Sequence, residues 1–213
     1  MSASLNPAPL SRAWYSDSIS NFLSAEADNI LGQLVRLSGF DVRPTQRNAW
    51  LEQIAILKTC LAGRSGSIFF EFTIPRMGRR VDVVLLIGPA VFVVEFKIGG
   101  ESFDRGAIDQ VWDYALDLKN FHEASHEVAV VPILVASDTM TPLSDFIVDS
   151  DGVFRPVTAS ADTLADAISR SLSVIAGVEV DAMAWAGAGY KPTPTIIEAA
   201  KALYAQHSVE AIA

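Results

Sequence analysis

Asp82, Glu95 and Lys97 are the residues of this chain whose types and spacing carry chemistry most directly. They lie in residues 79–97, RRVDVVLLIGPAVFVVEFK, where two runs rich in β-branched residues flank Gly88-Pro89. That pattern predicts a strand, a tight turn and a second strand. Strand side chains alternate between faces, so Glu95 and Lys97 share one face and Phe96 takes the other. Pairing about Gly88-Pro89 sets Asp82 near Glu95 across the ladder. Two carboxylates and an ammonium then converge on one patch of an otherwise apolar sheet. Buried charge of that kind is costly unless it is paired or bound to a metal.

The set suits a hard divalent cation. Two carboxylates and the carbonyl of Phe96 leave positions for water and a substrate phosphate, as Mg²⁺ prefers, with Mn²⁺ able to replace it. Lys97 would stand beside the metal-bound water, lowering its pKa or orienting it for in-line attack on phosphorus. The plainer alternative is a Glu95–Lys97 salt bridge, with Asp82 merely closing its strand.

Other side chains could join this patch. Glu71 sits mid-strand among Phe69, Phe70 and Phe72, and the turn PRMGR returns the chain so that Glu71 comes near Asp82. It is a third candidate metal ligand or a partner for Arg79 or Arg80. Arg76, Arg79 and Arg80 crowd the approach to Asp82 and could bind a nucleic-acid backbone, or form a solvated hairpin tip. Gln110 and Tyr114 are spaced i, i+4 and share one face of the helix expected after Lys97. They could reach the metal site, or could simply edge an amphipathic helix. Glu52 is a weaker carboxylate candidate, read as part of a solvated face. His122 and His126 have the spacing of a zinc pair but lack a third ligand, so a structural or surface role is expected. Cys60, the one cysteine, excludes an internal disulfide and a multi-cysteine zinc site, and reads as a core residue. There is no Walker-type or GxGxxG loop.

The elements that must position these residues follow from periodicity. Residues 1–15 read as an extended arm. A helix is expected from Ser16 to about Leu37, capped by Ser16 or Asp17 and with a break at Gly32. A second starts after Pro44-Thr45, with Thr45 as N-cap, and runs through Trp50, Ile54, Leu57 and Leu61 to Gly63. Strands follow at 67–74, 79–87 and 90–97, then a helix from Ala107 to His122 and a doubly buried strand at 128–136. Short strands near 145–158, a helix over about 161–176, a strand near 178–185 and a Pro-punctuated final helix complete the reading.

With 213 residues, 50% hydrophobic and 19% charged, the chain is long and apolar enough for one sizeable core. Its net charge of −9 argues against tight nucleic-acid binding through overall charge alone. No apolar signal region opens the chain, and the longest apolar run, Val83–Val94, is broken by Gly-Pro and too short to span a bilayer. A cytoplasmic protein without membrane contact is expected.

The helix, the hairpin with Asp82, the strand with Glu95-Phe96-Lys97 and the helix with Gln110 and Tyr114 together resemble the PD-(D/E)XK nuclease superfamily over roughly residues 45–136. The Gln-x-x-x-Tyr helix is similar to that of its RecB-like branch, although Val81 rather than proline precedes Asp82. The resemblance implies an α/β, restriction-endonuclease-like αβββαβ core with a central mixed sheet flanked by helices. It also implies that Asp82 and Glu95 are metal ligands, Lys97 the catalytic lysine, and Gln110 and Tyr114 supporting groups. AWYSDSISNFL, FEFTIPRMGRRVDVVLL, DQVWDYALDLKNFH and YKPTPTIIEAAKALY resemble the N-terminal region of bacterial Schlafen group 3-like DNA/RNA helicase proteins. That likeness implies an arm and helix over 1–44, a nuclease-like domain over 45–186, and a connector over 187–213 leading to a C-terminal helicase/ATPase domain. A Mg²⁺-dependent deoxyribonuclease of DNA repair or phage defence is the expected function, with DNA and that ATPase domain as partners and a homo-oligomer possible. The alternative is a non-catalytic nucleic-acid-binding or protein-docking module on the same fold.

Overall fold

The computed structural model describes residues 12–39, 42–149 and 152–210, so most of the expected arm lies outside the described residues. The elements are β1 (Tyr15–Ser18), α1 (Ile19–Ser24), α2 (Ala27–Ser38), α3 (Pro44–Cys60), β2 (Ser67–Ile74), β3 (Arg79–Ile87) and β4 (Ala90–Lys97). They continue with α4 (Arg105–Phe121), β5 (Ala129–Ala136), β6 (Val157–Ser160), α5 (Leu164–Val174), α6 (Ala182–Gly187) and α7 (Pro194–Glu210). The strands form one six-stranded sheet in sequence order, antiparallel from β1 to β4 and parallel from β4 to β6. The mixed sheet of the expected αβββαβ order is therefore present, with α4 making the crossover that a parallel β4–β5 pair requires.

Helices cover both faces. On one side Phe22, Ile30, Leu34, Trp50, Ile54, Leu57 and Ile168 pack on Phe70, Val83, Leu85, Phe92 and Val94. On the other, Val111, Tyr114, Ala115, Leu118 and Trp185 pack on Phe69, Phe72, Val81, Val84 and Val93. Covered faces explain why β4 and β5 read as continuous apolar runs.

Several boundaries differ from the sequence expectation for identifiable reasons. Residues 16–37 are not one helix. Tyr15–Ser18 add a strand to β2, and Ser18 caps α1 by accepting a hydrogen bond from the Asn21 N–H at 3.1 Å. The break falls at Ala25-Glu26 rather than Gly32, because Lys58 Nζ donates to the carbonyls of Phe22, Leu23 and Ala25 at 2.7–2.9 Å. A cation satisfying the free carbonyls at a helix end stops the helix there. Arg43, not Thr45, is the α3 N-cap. Pro44 takes the first helical position, where its missing N–H costs nothing. α4 begins at Arg105, capped by Asp104, whose Oδ1 accepts the Ala107 N–H at 2.9 Å. The stretch 178–185 is not a strand: Asp181 caps the alanine-rich α6, whose Trp185 is fully buried. Of the strands expected at 145–158, only β6 and isolated bridges form among the described residues.

Two glycines are required by geometry. Gly88 has φ +54 and precedes a proline, the combination that a two-residue hairpin between Ile87 and Ala90 accepts. Gly66 has φ +133, and a Cβ there would run into the Leu86 carbonyl oxygen. Gly66→Ala is therefore expected to cost more than about 2 kcal/mol. A denaturant midpoint unchanged from wild type would contradict this.

Among the described residues, no helix is long and apolar enough to cross a membrane.

Candidate functional site

The site forms where β2 and β3 lose their regularity together beside β4. In an ordinary strand residues i and i+2 share a face. Phe70 and Phe72 nevertheless pack into opposite cores, and so do Val83 and Val81. Phe70 pairs with Val83 and Phe72 with Val81, so β2 and β3 both switch faces at the Glu71–Asp82 position. Glu71 adopts φ +50, the one positive value for a non-glycine among the described residues. Such a conformation costs on the order of 1 kcal/mol or more and needs outside support. Trp50 Nε1 supplies it by donating to Glu71 Oε1 at 2.8 Å, and Arg80 Nε by donating to Oε2 at 3.0 Å.

The switch parts β3 from β4. Their ladder runs from Ile87↔Ala90 to Val83↔Val94 and stops one position short of Asp82. Beyond it, side chains take over the backbone groups. Glu95 Oε1 accepts the Asp82 N–H at 3.0 Å, and Asp82 Oδ2 accepts the Phe96 N–H at 2.9 Å. A residue's N–H and C=O point to the same side of its strand, so the Phe96 carbonyl also faces this opening. Gln110 Nε2 donates to Glu95 Oε2 at 3.1 Å and to the Tyr114 hydroxyl at 3.2 Å. The i, i+4 pair on α4 therefore reaches Glu95, as its spacing allowed. Lys97 ends β4 two residues beyond Glu95, held by a turn in which the Gly100 N–H donates to the Lys97 carbonyl at 3.0 Å. Its ammonium draws the pKa of both Asp82 and Glu95 downward, yet makes no hydrogen bond or ion pair among the described residues.

A cavity of about 480 Å³ opens onto Asp82, Phe96 and Lys97, walled by Gln46 and Gln53 of α3 and by the loop through Ser102 to Asp104. Glu95 is 5% exposed and lies behind Asp82. Both carboxyl groups are pushed well above the usual carboxylate range. Burial is the main cause for each; the Asp82 charge raises Glu95 further, and the nearby Glu71 carboxylate raises Asp82 and, more weakly, Glu95. The Phe96 N–H opposes this for Asp82, and the Asp82 N–H for Glu95.

These raised values have a consequence for stability. Between the unfolded and folded pKa values the native state binds more protons, so stability falls as pH rises from the ordinary carboxylate range into mildly alkaline solution. The metal-free protein is expected to lose on the order of 2 kcal/mol from about pH 5 to about pH 9, and Glu95→Gln to remove most of that slope. Denaturant unfolding across that range checks it; equal slopes in the two proteins would contradict the origin.

The structure separates the other candidates. Glu71 is held by Trp50 and Arg80, so the ion-pair alternative is the arrangement formed. Among the described residues no three His, Cys, Asp or Glu side chains gather as a metal-binding group. Arg79 lies beside the Tyr114 hydroxyl and, with Gln110, offsets part of the upward push from burial and Glu95. Arg80 turns to Glu71 and stacks over Trp14 at 4.2 Å. Arg76 is not brought to the site: it pairs with Asp117 at 2.7 Å and lies over Phe121. His122 is fully buried, bonded to Ser125 Oγ through Nδ1 at 2.8 Å, and its pKa is pushed down to about 4, chiefly by burial. That is the structural role expected. Cys60 is a buried thiol whose pKa is pushed up to about 12, chiefly by burial. Glu52 is half-buried and apart from the cavity, whereas its neighbour Gln53 is buried with Nε2 3.5 Å from Asp82 Oδ2. Sequence reasoning missed Gln53; its signal is a polar residue three positions after Trp50, on the buried face of α3.

The donor set fits a hard divalent ion better than zinc. Asp82 Oδ1 accepts no hydrogen bond among the described residues, while the Asp82 and Glu95 carboxylates each bond a backbone N–H of the other's strand. Mg²⁺ needs only one or two carboxylates and keeps its waters, so two suffice. Comparison with protein-family models, curated proteins and solved structures gave no match.

Proposed function

We propose that this chain carries a divalent-metal-dependent nuclease site of PD-(D/E)XK type that hydrolyses DNA phosphodiester bonds. The observation that supports it best is the Asp82–Glu95 pair: two desolvated, mutually repelling carboxylates at the parting of β3 and β4, with Lys97 on the same strand. Groups held at such a cost are typical of sites that neutralise them with a cation. In this reading Asp82, Glu95 and the Phe96 carbonyl hold Mg²⁺ or Mn²⁺, which when bound supplies Lewis-acid polarisation of the phosphate and an acidified water. Gln110 fixes the Glu95 carboxylate, and Tyr114 fixes Gln110. Lys97 stands free to orient the attacking water and to balance charge on the phosphate. The resemblance to Schlafen group 3-like helicase proteins supports reading such a site as coupled to a helicase/ATPase domain, in DNA repair or phage defence.

The test is nicking or degradation of single- and double-stranded DNA with Mg²⁺ or Mn²⁺, with RNA as competitor. Cleavage by wild type that disappears in the Glu95→Ala, Lys97→Ala double variant is expected; equal cleavage by both would sink the proposal. The second reading is a non-catalytic nucleic-acid-binding or docking module on the same fold. No cation binding and no cleavage would support that one.

A further inference from the structure

A second cavity of about 380 Å³ adjoins the first on the α3 side, and Gln46 lines both. Its size lies at the small end of the range for ligand pockets. The walls combine cations with a flat aromatic surface. Arg80 is fixed through Nε by Glu71 and lies with its guanidinium 4.2 Å from the Trp14 ring centroid. Its terminal nitrogens have no hydrogen-bond partner among the described residues. Trp14 is braced edge-on by Trp50 at 6.0 Å, so the indole–guanidinium stack is a supported wall. Arg43 is exposed at the rim without an ion-pair partner among the described residues, and Thr45 and Gln46 add a hydroxyl and an amide. The Trp50 indole N–H and the Glu71 carboxylate are already spent on each other. Two guanidiniums against one carboxylate make this cavity locally positive in a chain of net charge −9.

Guanidinium groups with free terminal nitrogens recognise phosphate, and a stacked indole–guanidinium surface recognises the face of a nucleobase. We propose that this cavity binds one unpaired nucleotide of a DNA strand. The phosphate sits on Arg43 and Arg80, and the base lies against the Trp14–Arg80 stack. A base lying there is out of a duplex, so the strand is single-stranded at this position. That the same strand continues through Gln46 to Asp82 and Glu95 rests on the nuclease reading; the binding does not.

The experiment is fluorescence anisotropy of a labelled thymidine oligonucleotide of about ten bases, with the whole chain in EDTA. Arg43→Ala and Trp14→Ala are each expected to weaken binding roughly tenfold, in line with one lost phosphate contact or one lost stack. Arg170→Ala, on the exposed face of α5, is expected to stay near wild type. A blunt hairpin duplex is expected to bind roughly tenfold more weakly than the single strand. Arg43 is exposed, so its variant keeps the test valid should Trp14→Ala fold poorly. Binding unaffected by Arg43→Ala, or equal binding of duplex and single strand, overturns the proposal whatever the cleavage assay gives. Binding that depends on Arg43 and Trp14, with no cleavage in Mn²⁺, supports the pocket and counts against the nuclease reading alone.

Discussion

Lys97→Ala is expected to lower metal-dependent DNA cleavage about 10³-fold and to leave folding stability within about 0.5 kcal/mol of wild type. The asymmetry follows from its surroundings. Lys97 is half-buried at the end of β4, and its ammonium has no hydrogen-bond partner among the described residues. Removing it breaks no bond the fold depends on, but takes away a cation that lowers the pKa of both Asp82 and Glu95. Glu95→Gln should lose cleavage to a similar extent but gain stability. The amide keeps an oxygen for the Asp82 N–H, while removing a buried negative charge that Asp82 repels. A gain of roughly 1–2 kcal/mol at pH 8 is expected in the metal-free protein. Cleavage rates beside denaturant midpoints check both variants. A Lys97→Ala protein that cuts within tenfold of wild type, or a Glu95→Gln protein less stable than wild type, would contradict the assignment.

The second large effect lies in the support beneath the site. Trp50→Ala is expected to destabilise the protein by about 4 kcal/mol. Trp50 is 1% exposed and belongs to the same core as Tyr15, Phe22 and Phe70, so truncation leaves a large void. It also removes the donor that holds Glu71 in its positive-φ conformation. Trp50→Phe fills most of the void but lacks the N–H, and should cost about 1–2 kcal/mol. The difference between the two variants separates packing from hydrogen bonding. A loss below about 2 kcal/mol for the alanine variant would show that Glu71 and the β2–β3 face switch need no such support.

Much of this arrangement was legible because strands count evenly. Positions symmetric about Gly88-Pro89 set Asp82 against Glu95, and positions symmetric about the PRMGR turn set Glu71 against Asp82. The i, i+4 spacing of Gln110 and Tyr114 likewise sufficed to bring both to one face of α4. What periodicity could not carry was the departure from regular pairing. Nothing local marks Glu71 as a positive-φ residue; the conformation is held by Trp50 and Arg80, distant in sequence or across a hairpin. The end of α1 is set by Lys58, more than thirty residues away. Trp185 read as part of a strand because the same short apolar run suits either state, and Asp181 decided it. The arginines were adjacent in sequence and so were grouped. Alternation and competing acids sent them to three places: Arg76 to Asp117, Arg79 to Tyr114 and Arg80 to Glu71.

A cation held between the parted strands is what the proposed chemistry requires. The most direct measurement is a crystal structure of the protein soaked in Mn²⁺, with anomalous diffraction locating the ion. The expected result is a peak within bonding distance of Asp82 Oδ1 and the Glu95 carboxylate, adjoining the Phe96 carbonyl and reduced to background in Glu95→Gln. A soaked crystal with no peak between Asp82 and Glu95, at Mn²⁺ concentrations that support cleavage, would contradict it.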